Sequence, residues 1–453
     1  MILPALVLYI VAQIAIAAWA ARGTASEDDY LVAGRGLGTW QVAFSIFATW
    51  FAAETVIATS AEVAADGLAG ARVEPFGYGL GILVLGLFVA ARLRRGGHLT
   101  VAGFLGSVFG PRVQLFAAIL IALSGTVWAG AQLNALSVII GTAAGLPFTV
   151  ALGVSTALVI TYTWIGGLKA DVATDVLQGG IIILGLIVLL ALLVIVVGGP
   201  DAALAAIPER GFSMRKPGET LLERAELWLL PVFGTIVAQE AISRLLAART
   251  PAIARRGALV GAVIYLGVGM IPVTLGLIGM GTDLPLAEGD AYFASLAAAI
   301  LPAWLFVIIS GALVSAILSS VDSALLAVSA VTTEAAMGQD ADPGSARGRL
   351  RLARLVTTAA GVIAALIAVS GESLREIVLT ASGIGGLIAV PLVAALWLPR
   401  KGPGSAALAA MAVSLVLTAV LDWMLGIGGA FLYALAAGAA VFLVVLRVTR
   451  WSA

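Results

Sequence analysis

One octapeptide of the chain, Ala316 to Ser323, combines hydroxyl and carboxyl oxygens inside a long apolar stretch. On a helix, Ser319, Asp322 and Ser323 share one face, with Ser320 on its flank. Hydroxyl groups and backbone carbonyls are oxygen donors of the kind that bind alkali cations. Serines also let helices pack closely, but close packing does not explain a carboxylate at this depth. The octapeptide therefore predicts an ion site.

A second polar cluster, Phe47 to Thr55, interrupts another apolar stretch. Five carboxylates lie in such stretches: Glu54, Asp175, Glu240, Asp322 and Asp422. An ionised group at mid-bilayer costs about 3 kcal/mol even on the gentlest scale, so each carboxylate needs a partner or a cavity. We expect no Lys or Arg deep enough to neutralise them. Transported cations, or protons, are then the expected counter-charges.

Transporter binding sites commonly lie where helices are interrupted near the middle of the membrane. Pro231 and Gly234 predict an interruption within residues 231–240. Residues 47–55 contain neither Pro nor Gly, so this segment by itself predicts no break. Two polar helices at the start of each half of the chain indicate an inverted repeat, spans 2–6 against spans 7–11.

The elements that must position these groups are membrane helices. Of the 453 residues, 61% are hydrophobic and only 11% are charged, which is too little charge for a water-exposed surface. The composition is that of helices and lacks the alternation of an outer-membrane barrel. Thirteen spans are predicted, near 2–20, 40–63, 75–92, 113–140, 147–165, 172–197, 223–247, 257–281, 303–335, 352–370, 374–398, 405–425 and 429–447.

Basic residues predict the orientation of these spans. With the N-terminus outside and the C-terminus cytoplasmic, 19 of the 25 Lys and Arg residues fall on the cytoplasmic side, as the positive-inside rule requires. This assignment puts Arg244 and Arg349 in cytoplasmic loops and Arg72 in an outer loop. The apolar N-terminus has no basic leader and is interpreted as a span rather than a signal peptide. We expect a multi-pass protein of a bacterial-type inner membrane.

Several function classes are disfavoured. The chain has no Cys and one His, which excludes thiolate zinc sites and multi-His metal sites. Formal net charge is zero, so a nucleic-acid-binding surface is not indicated. The isolated polar clusters do not form the continuous stripe that lines a channel. No catalytic constellation is present, so we expect no enzyme.

Five motifs in order resemble the sodium:solute symporter family, which includes sodium/glucose, proline, pantothenate, choline and sialic acid transporters. They are residues 29–35 with 47–50, 162–168 with 174–178, 244–248, 254–258 and, most specifically, 316–323. The resemblance implies an all-α polytopic fold with a five-plus-five inverted repeat of the LeuT type, one extra helix before it and two after it. The implied parts are a leading helix and loop at 1–38, repeats at 39–197 and 223–398, and two final helices at 399–453.

The resemblance also implies a sodium site between spans 2 and 9. Its ligands would be the carbonyls of Ala48, Phe51 and Ala316 and the hydroxyls of Ser319 and Ser320. A second sodium, found in some relatives, would use Asp175, Ser319, Asp322 and Ser323. Two carboxylates at one site repel each other unless a cation lies between them, so Asp322 favours the second ion over proton coupling. Na⁺ is thus the expected coupling ion, with one or two ions per cycle.

Family position places the substrate among Trp50, Glu54, Thr55, Glu74, Tyr78, Trp128, Gln132 and Gln239. Three of these aromatics look like those that surround a quaternary ammonium in choline transporters. A fourth aromatic is missing, because Ala238 stands in its place, and each aromatic alone is as well explained by ordinary packing. The carboxylates resemble hydroxyl acceptors of sugar transporters. An amine, amino acid or betaine is the leading expectation, and a polyol stays open.

The sequence therefore predicts sodium-coupled import of a small organic solute by alternating access. The alternatives are a proton-coupled symporter of the same fold and a transporter-like membrane sensor. The expected partners are the solute and the lipid bilayer, with a monomer as the functional unit.

Overall fold

The computed structural model describes residues 32–338, 346–370, 373–398 and 402–451, together with a few positions between 11 and 19. The first predicted span therefore lies almost entirely outside the described residues. In the described part the only β pairing is an isolated bridge between Leu37 and Ala248. The helices up to residue 246 are α1 (Thr39–Trp50), α2 (Thr59–Asp66), α3 (Tyr78–Val84), α4 (Ala90–Gly96), α5 (Val101–Phe109), α6 (Pro111–Ala144), α7 (Phe148–Val196), α8 (Pro200–Ala206), α9 (Leu221–Val237) and α10 (Gln239–Leu246).

The second half of the chain continues as helices joined by short connectors. They are α11 (Pro251–Gly279), α12 (Tyr292–Ile300), α13 (Ala303–Met337), α14 (Ala346–Ile367), α15 (Leu374–Gly386), α16 (Ala389–Trp397), α17 (Gly404–Thr418) and α18 (Ala430–Trp451). Wider helical turns at 54–58, 73–77, 85–89 and 419–424 link neighbouring helices. The all-α prediction is confirmed.

Eight helical stretches of the described residues are long and apolar enough to cross a membrane, and the bent pairs α9–α10 and α15–α16 raise the number to ten. The predicted number of thirteen is not confirmed. One reason is that hydropathy does not show where a helix is broken within a span or where two spans continue as one helix. For example, α7 contains two predicted spans, joined at Gly167, whose φ of 62° ends one helical run and starts the next.

Span 2 is broken in its middle although no Pro or Gly lies there. α1 ends at Trp50, and Phe51 has a non-helical ψ of 64°. The freed backbone groups find partners on side chains, since Thr55 Oγ1 donates to the Trp50 carbonyl at 2.9 Å and the Ala53 N–H donates to Gln132 Oε1 at 3.4 Å. An interruption inside a membrane requires such partners. Tertiary contacts, rather than local sequence, therefore hold this break.

The predicted interruption of span 7 is confirmed, at the far end of its segment. Pro231 lies inside α9, and the helix continues to Val237. Ala238, with a ψ of 111°, separates α9 from α10, which turns away by 45°. Both interrupted helices reach the same region of the protein, because α10 packs against α1 and α13.

Small residues allow α1 to lie close to α11. A Cβ on Gly257 would lie 2.5 Å from a Val42 methyl, and a Cβ on Gly261 would lie 3.0 Å from the Ala43 carbonyl. Their spacing is the four-residue repeat that lets membrane helices approach closely. At the centre of the bundle, α13 packs against α6, α7 and α14 and presents the Ala316–Ser323 segment inward.

Candidate ion and substrate sites

The break in span 2 lies against the serine-rich segment of α13. Ser320 Oγ donates to the Thr49 carbonyl, one residue before the end of α1, at 3.2 Å. Of the predicted sodium ligands, Ala48, Phe51 and Ala316 are at most 4% exposed, and Ser319 and Ser320 are fully buried. Carbonyls at a helix end and hydroxyls on a facing helix form a donor set suited to an alkali cation.

A polar cluster adjoins this contact. Ser319 Oγ lies 2.5 Å from Asp175 Oδ1 and 3.0 Å from Asp171 Oδ1. Ser323 Oγ donates to Asp171 Oδ2 at 2.7 Å. The Arg244 guanidinium closes the cluster, with Nη2 at 2.5 Å from Asp171 Oδ2 and 3.6 Å from Asp175 Oδ2. The structure thus brings three of the four predicted second-ion residues together around an arginine.

This arrangement corrects two expectations. The deep carboxylates do have a basic partner, because Arg244 is 1% exposed and lies inside the bundle rather than in a loop. Arg72 and Arg349 are also buried rather than in loops. The sequence did carry one signal for this cluster: Asp171 precedes Asp175 by four residues and so shares its helix face. The bend at Ala238 then turns α10, and with it Arg244, toward that face.

Asp322 remains without such a partner. Both of its carboxylate oxygens are buried, and no described basic residue forms an ion pair with them. The Thr163 hydroxyl, which donates to the Val159 carbonyl at 2.9 Å, also interacts with Asp322. A buried carboxylate without an ion pair is unstable when ionised, so Asp322 needs a proton or a cation. Asp422, by contrast, is exposed at the edge of the bundle.

Beyond the α1 break, residues from five helical segments line a small cavity of about 30 Å³. Its lining is Trp50, Glu54, Glu74, Tyr78, Ser124, Trp128, Gly234, Ala238, Glu240, Ala381 and Ser382. Five predicted substrate residues therefore meet here, three aromatics and two carboxylates. The rings of Trp50 and Trp128 lie 6.2 Å apart. The lining contains no Lys or Arg, so its chemistry favours positively charged groups.

Each carboxylate of the cavity has its own support. Trp128 Nε1 donates to Glu54 Oε1 at 3.0 Å, and Gln132 Nε2 donates to Glu54 Oε2 at 2.5 Å. Glu74 Oε2 lies 3.1 Å from the hydroxyl of Tyr265 on α11. Glu74 has the extended backbone that a residue before proline favours, with φ −129° and ψ 132°. This backbone carries the side chain out of the helical path.

Three predicted substrate residues lie outside the lining, and one of them, Gln132, contacts the cavity only through its hydrogen bond to Glu54. Thr55 faces Tyr265, with 3.2 Å between the hydroxyl oxygens. Gln239 turns toward the start of α5, where its Oε1 accepts from the Val101 N–H at 2.8 Å and its Nε2 donates to Ser243 Oγ at 3.0 Å. The structure thus does not place Gln239 in the lining of this cavity, and the next residue, Glu240, lines it instead.

Ion pairs cross one end of the bundle next to this cavity. Arg375, at the start of α15, pairs with Glu62 on α2. Lys216 reaches Asp66 at 2.5 Å. In the same region the buried Arg72 pairs with Glu219 at 2.6 Å. Burial acts to raise the pKa of Glu219, but the hydrogen bond and charge of Arg72 outweigh it and lower the pKa below its usual value.

A larger cavity, of about 600 Å³, lies elsewhere, between α6, α12 and α13. Its walls are mostly apolar, with Val138, Phe293 and Phe306 among them. None of the predicted ion or substrate residues lines this larger cavity. Its lining also lacks the clustered oxygens of an ion site. The carboxylate cavity is therefore the candidate substrate site.

Comparison with known proteins identifies the family of the chain. The family model described as the sodium:solute symporter family matches residues 30–414. The high-affinity choline transporter 1 of Caenorhabditis elegans is 24% identical over 452 residues, covering 91% of this chain and 76% of the relative. The sodium/pantothenate symporter of Escherichia coli is 27% identical over 441 residues, covering 93% of this chain and 90% of the relative.

Among solved structures, a Na⁺-coupled sialic acid symporter in a substrate-bound, outward-open state superposes with a TM-score of 0.82. Its identity is 18%, over 99% of this chain and 97% of that one, so the likeness shows the fold. A nucleobase-cation-symport-1 family transporter superposes with a TM-score of 0.66 at 15% identity, over 92% of this chain and 95% of that one. With the family match spanning most of its length, the chain belongs to the sodium:solute symporter family, a family of multi-pass membrane transporters and not of enzymes.

Proposed function

We propose that the protein imports a small, amine-bearing organic solute together with Na⁺ by alternating access. The carrying observation is the contact between the α1 break and α13, where Ser320 meets the Thr49 carbonyl, immediately beside the carboxylate-lined cavity. Ion and solute would thus bind on either side of one interruption. Cation binding there would fix the break, and the fixed break would present Trp50 and Glu54 to the solute.

The ligands proposed for this sodium are the carbonyls of Ala48, Phe51 and Ala316 with the hydroxyls of Ser319 and Ser320. A second cation would use Asp175, Ser319, Asp322 and Ser323. Arg244 already supplies one positive charge to that cluster, yet Asp322 forms no ion pair with a described basic residue. This carboxylate without an ion pair supports a second cation, with a proton as the competing occupant.

One sodium ion is energetically sufficient. Its entry across 100 mV yields about 2.3 kcal/mol, and a tenfold gradient adds about 1.4 kcal/mol. The sum, about 3.7 kcal/mol, supports accumulation of a neutral solute by a few hundred-fold. A cationic solute gains a further contribution from the membrane potential itself.

The solute class is proposed from the cavity lining. Aromatic faces and carboxylates without a basic neighbour suit an amine, a betaine or an amino acid bound through its ammonium group. The names of the choline and pantothenate relatives span a cation and an anion, so they do not decide the class by themselves. We place the protein in an inner membrane, with its N-terminus outside.

The test is solute uptake into proteoliposomes under an imposed Na⁺ gradient, with K⁺ or a pH gradient of equal size as controls. Compounds for uptake are first selected by thermal stabilisation of the detergent-purified protein in sodium. Uptake that follows the sodium gradient supports the proposal. Uptake that follows only the pH gradient indicates a proton-coupled symporter, and stabilisation without uptake indicates a sensor.

A further inference from the structure

We propose that Glu74 carries a proton in this structure, so that the cavity presents a single ionised carboxylate, Glu54, and takes a solute with one positive charge. The charge of the solute rests on the transport function proposed above. The proton is inferred from the number of hydroxyl protons available to the contacts around Glu74.

Four groups form a chain between the cavity and the α1 break. The Trp50 carbonyl lies 2.9 Å from the Thr55 hydroxyl. The Thr55 hydroxyl lies 3.2 Å from the Tyr265 hydroxyl, which lies 3.1 Å from Glu74 Oε2. All four residues are at most 6% exposed, so bulk water does not compete for these contacts.

The chain has three contacts, and each needs one proton. A carbonyl only accepts, so the single hydroxyl proton of Thr55 goes to Trp50. Thr55 must then accept from Tyr265, which uses the only hydroxyl proton of Tyr265. The third contact, between Tyr265 and Glu74, has a proton only if the Glu74 carboxyl group donates it. With Glu74 ionised, Tyr265 would donate to Glu74 and leave two oxygens facing each other at 3.2 Å.

Glu54 has the opposite surroundings. Its two oxygens accept from the indole N–H of Trp128 and the amide N–H of Gln132, neither of which can accept from a protonated carboxyl through those atoms. N–H donors on both oxygens stabilise the ionised form. One neutral and one ionised carboxyl group also avoid the repulsion of two buried charges in one cavity.

The charged and titratable groups around Glu74 do not remove this need for a proton. They come from every neighbouring segment: Glu54, Glu62, Tyr78, Glu240, Tyr265 and Arg375. Arg375 is the one cation of this set, and it is paired with Glu62. Arg375 attracts a charge on Glu74, but it forms its ion pair with Glu62 and not with Glu74.

The chain links the proton to the ion site. It ends at Trp50, the last residue of α1, beside Thr49, which Ser320 contacts. Loss of the proton would reverse the donor direction between Tyr265 and Glu74 and remove the donor to Thr55. The protonation of Glu74 therefore affects the helix end that offers carbonyls to sodium.

The proton is tested by infrared difference spectroscopy of the purified protein at neutral pH, without solute. We expect a carbonyl stretch of a protonated carboxylic acid in the wild type that is lost in Glu74→Gln and kept in Glu54→Gln. Tyr265→Phe should shift the same band, because it removes the acceptor, and it serves as the second variant if Glu74→Gln does not fold. No difference between the wild type and both variants, or loss of the band in Glu54→Gln, overturns the proton.

The charge of the solute is tested by thermal stabilisation of the protein in sodium. Butylamine and tetramethylammonium are the singly charged probes, and 1,4-diaminobutane is the doubly charged probe. We expect the singly charged probes to stabilise the wild type, and this stabilisation to disappear in Glu54→Gln. Stronger stabilisation by the diamine, or none by either singly charged probe, overturns the assignment of the solute. The infrared band is independent of transport, so a protein that shows the band without uptake keeps the proton and loses the proposed function.

Discussion

Arg244 Nη2 and Asp171 Oδ2 form an ion pair at 2.5 Å in which neither side chain is more than 1% exposed. The same guanidinium donates to Ser323 Oγ at 2.5 Å and, through Nε, to Ser45 Oγ at 3.0 Å. α10, α7, α13 and α1 therefore converge on one side chain. The pair ties both interrupted helices to the helix that carries the candidate ion ligands.

Breaking this pair should destabilise the protein strongly. We expect Arg244→Gln to lower the unfolding free energy by about 3–5 kcal/mol, because a buried carboxylate loses its partner. The double variant Arg244→Gln with Asp171→Asn should recover part of the loss. Thermal unfolding in detergent measures both. Arg255→Gln, at an exposed position of α11, is the control and should change little. Equal stability of Arg244→Gln and wild type would contradict the structural role.

Removal of a ligand hydroxyl should weaken sodium binding. Ser319→Ala and Ser320→Ala each remove an oxygen from the proposed site, worth about 1–3 kcal/mol. The half-saturating sodium concentration for stabilisation should rise about tenfold, the factor that 1.4 kcal/mol represents. Ser310→Ala, on the same helix but beside the large apolar cavity, should leave it unchanged. Unaltered sodium dependence in both ligand variants would refute the site.

Trp128 should act through its indole N–H as well as its ring. Trp128→Phe keeps an aromatic face but loses the 3.0 Å hydrogen bond to Glu54. A hydrogen bond to a charged group contributes about 1.5–3 kcal/mol, so solute affinity should fall at least tenfold. The control Trp164→Phe changes a ring that is 41% exposed. Binding isotherms with the stabilising solute compare the two. A similar affinity in both variants would assign Trp128 a packing role only.

Acid should weaken the end of the bundle at which Arg72 pairs with Glu219. Its pKa is lower in the folded protein than the usual value of 4.5. The ion pair with Arg72 therefore contributes its full stability above about pH 4.5, and the contribution is lost as pH falls through the lower, folded-state pKa. Glu219→Gln should lower the melting temperature at neutral pH and flatten its decline below about pH 4.5. Glu209→Gln, exposed nearby, should keep the wild-type profile. A wild-type profile in Glu219→Gln would be the contrary result.

The close contact between α1 and α11 should tolerate no side chain. A Cβ at Gly261 would meet the Ala43 backbone at 3.0 Å, whereas a Cβ at Gly267, on the same helix, meets nothing within 4 Å. We expect Gly261→Leu to destabilise the protein by about 1–3 kcal/mol through overpacking. Gly267→Leu is the matched control, and unfolding midpoints decide between them. The close approach would be disproved by equal midpoints.

Hydropathy was enough to predict the all-α membrane fold, and the order of motifs was enough to predict the family. Hydropathy assigned Arg244 to a loop because it scores charge without partners, and the partner Asp171 lies 73 residues away in sequence. The break after Trp50 was likewise invisible, because Gln132 of α6 provides one of the supporting hydrogen bonds. The prediction of Trp50, Glu54, Glu74, Tyr78 and Trp128 as substrate residues came from the family resemblance, and the fold brings these residues to one cavity. Gln239 faces elsewhere because the bend at Ala238 rotates it away.

The two interrupted helices differ in what keeps them open. In span 7 the interruption lies at Ala238, and Pro231, which lacks an N–H, lies seven residues earlier inside α9. Residues 51–53 are Phe, Ala and Ala, all of which accept a continuous helix, so only Thr55 and Gln132 compete with the helical hydrogen bonds there. We therefore expect the first interruption to be reversible: without those two side-chain contacts, residues 51–53 would form a continuous helix and withdraw the carbonyls offered to a cation. The ion site would then exist only while the break is open, and it would form again in each transport cycle.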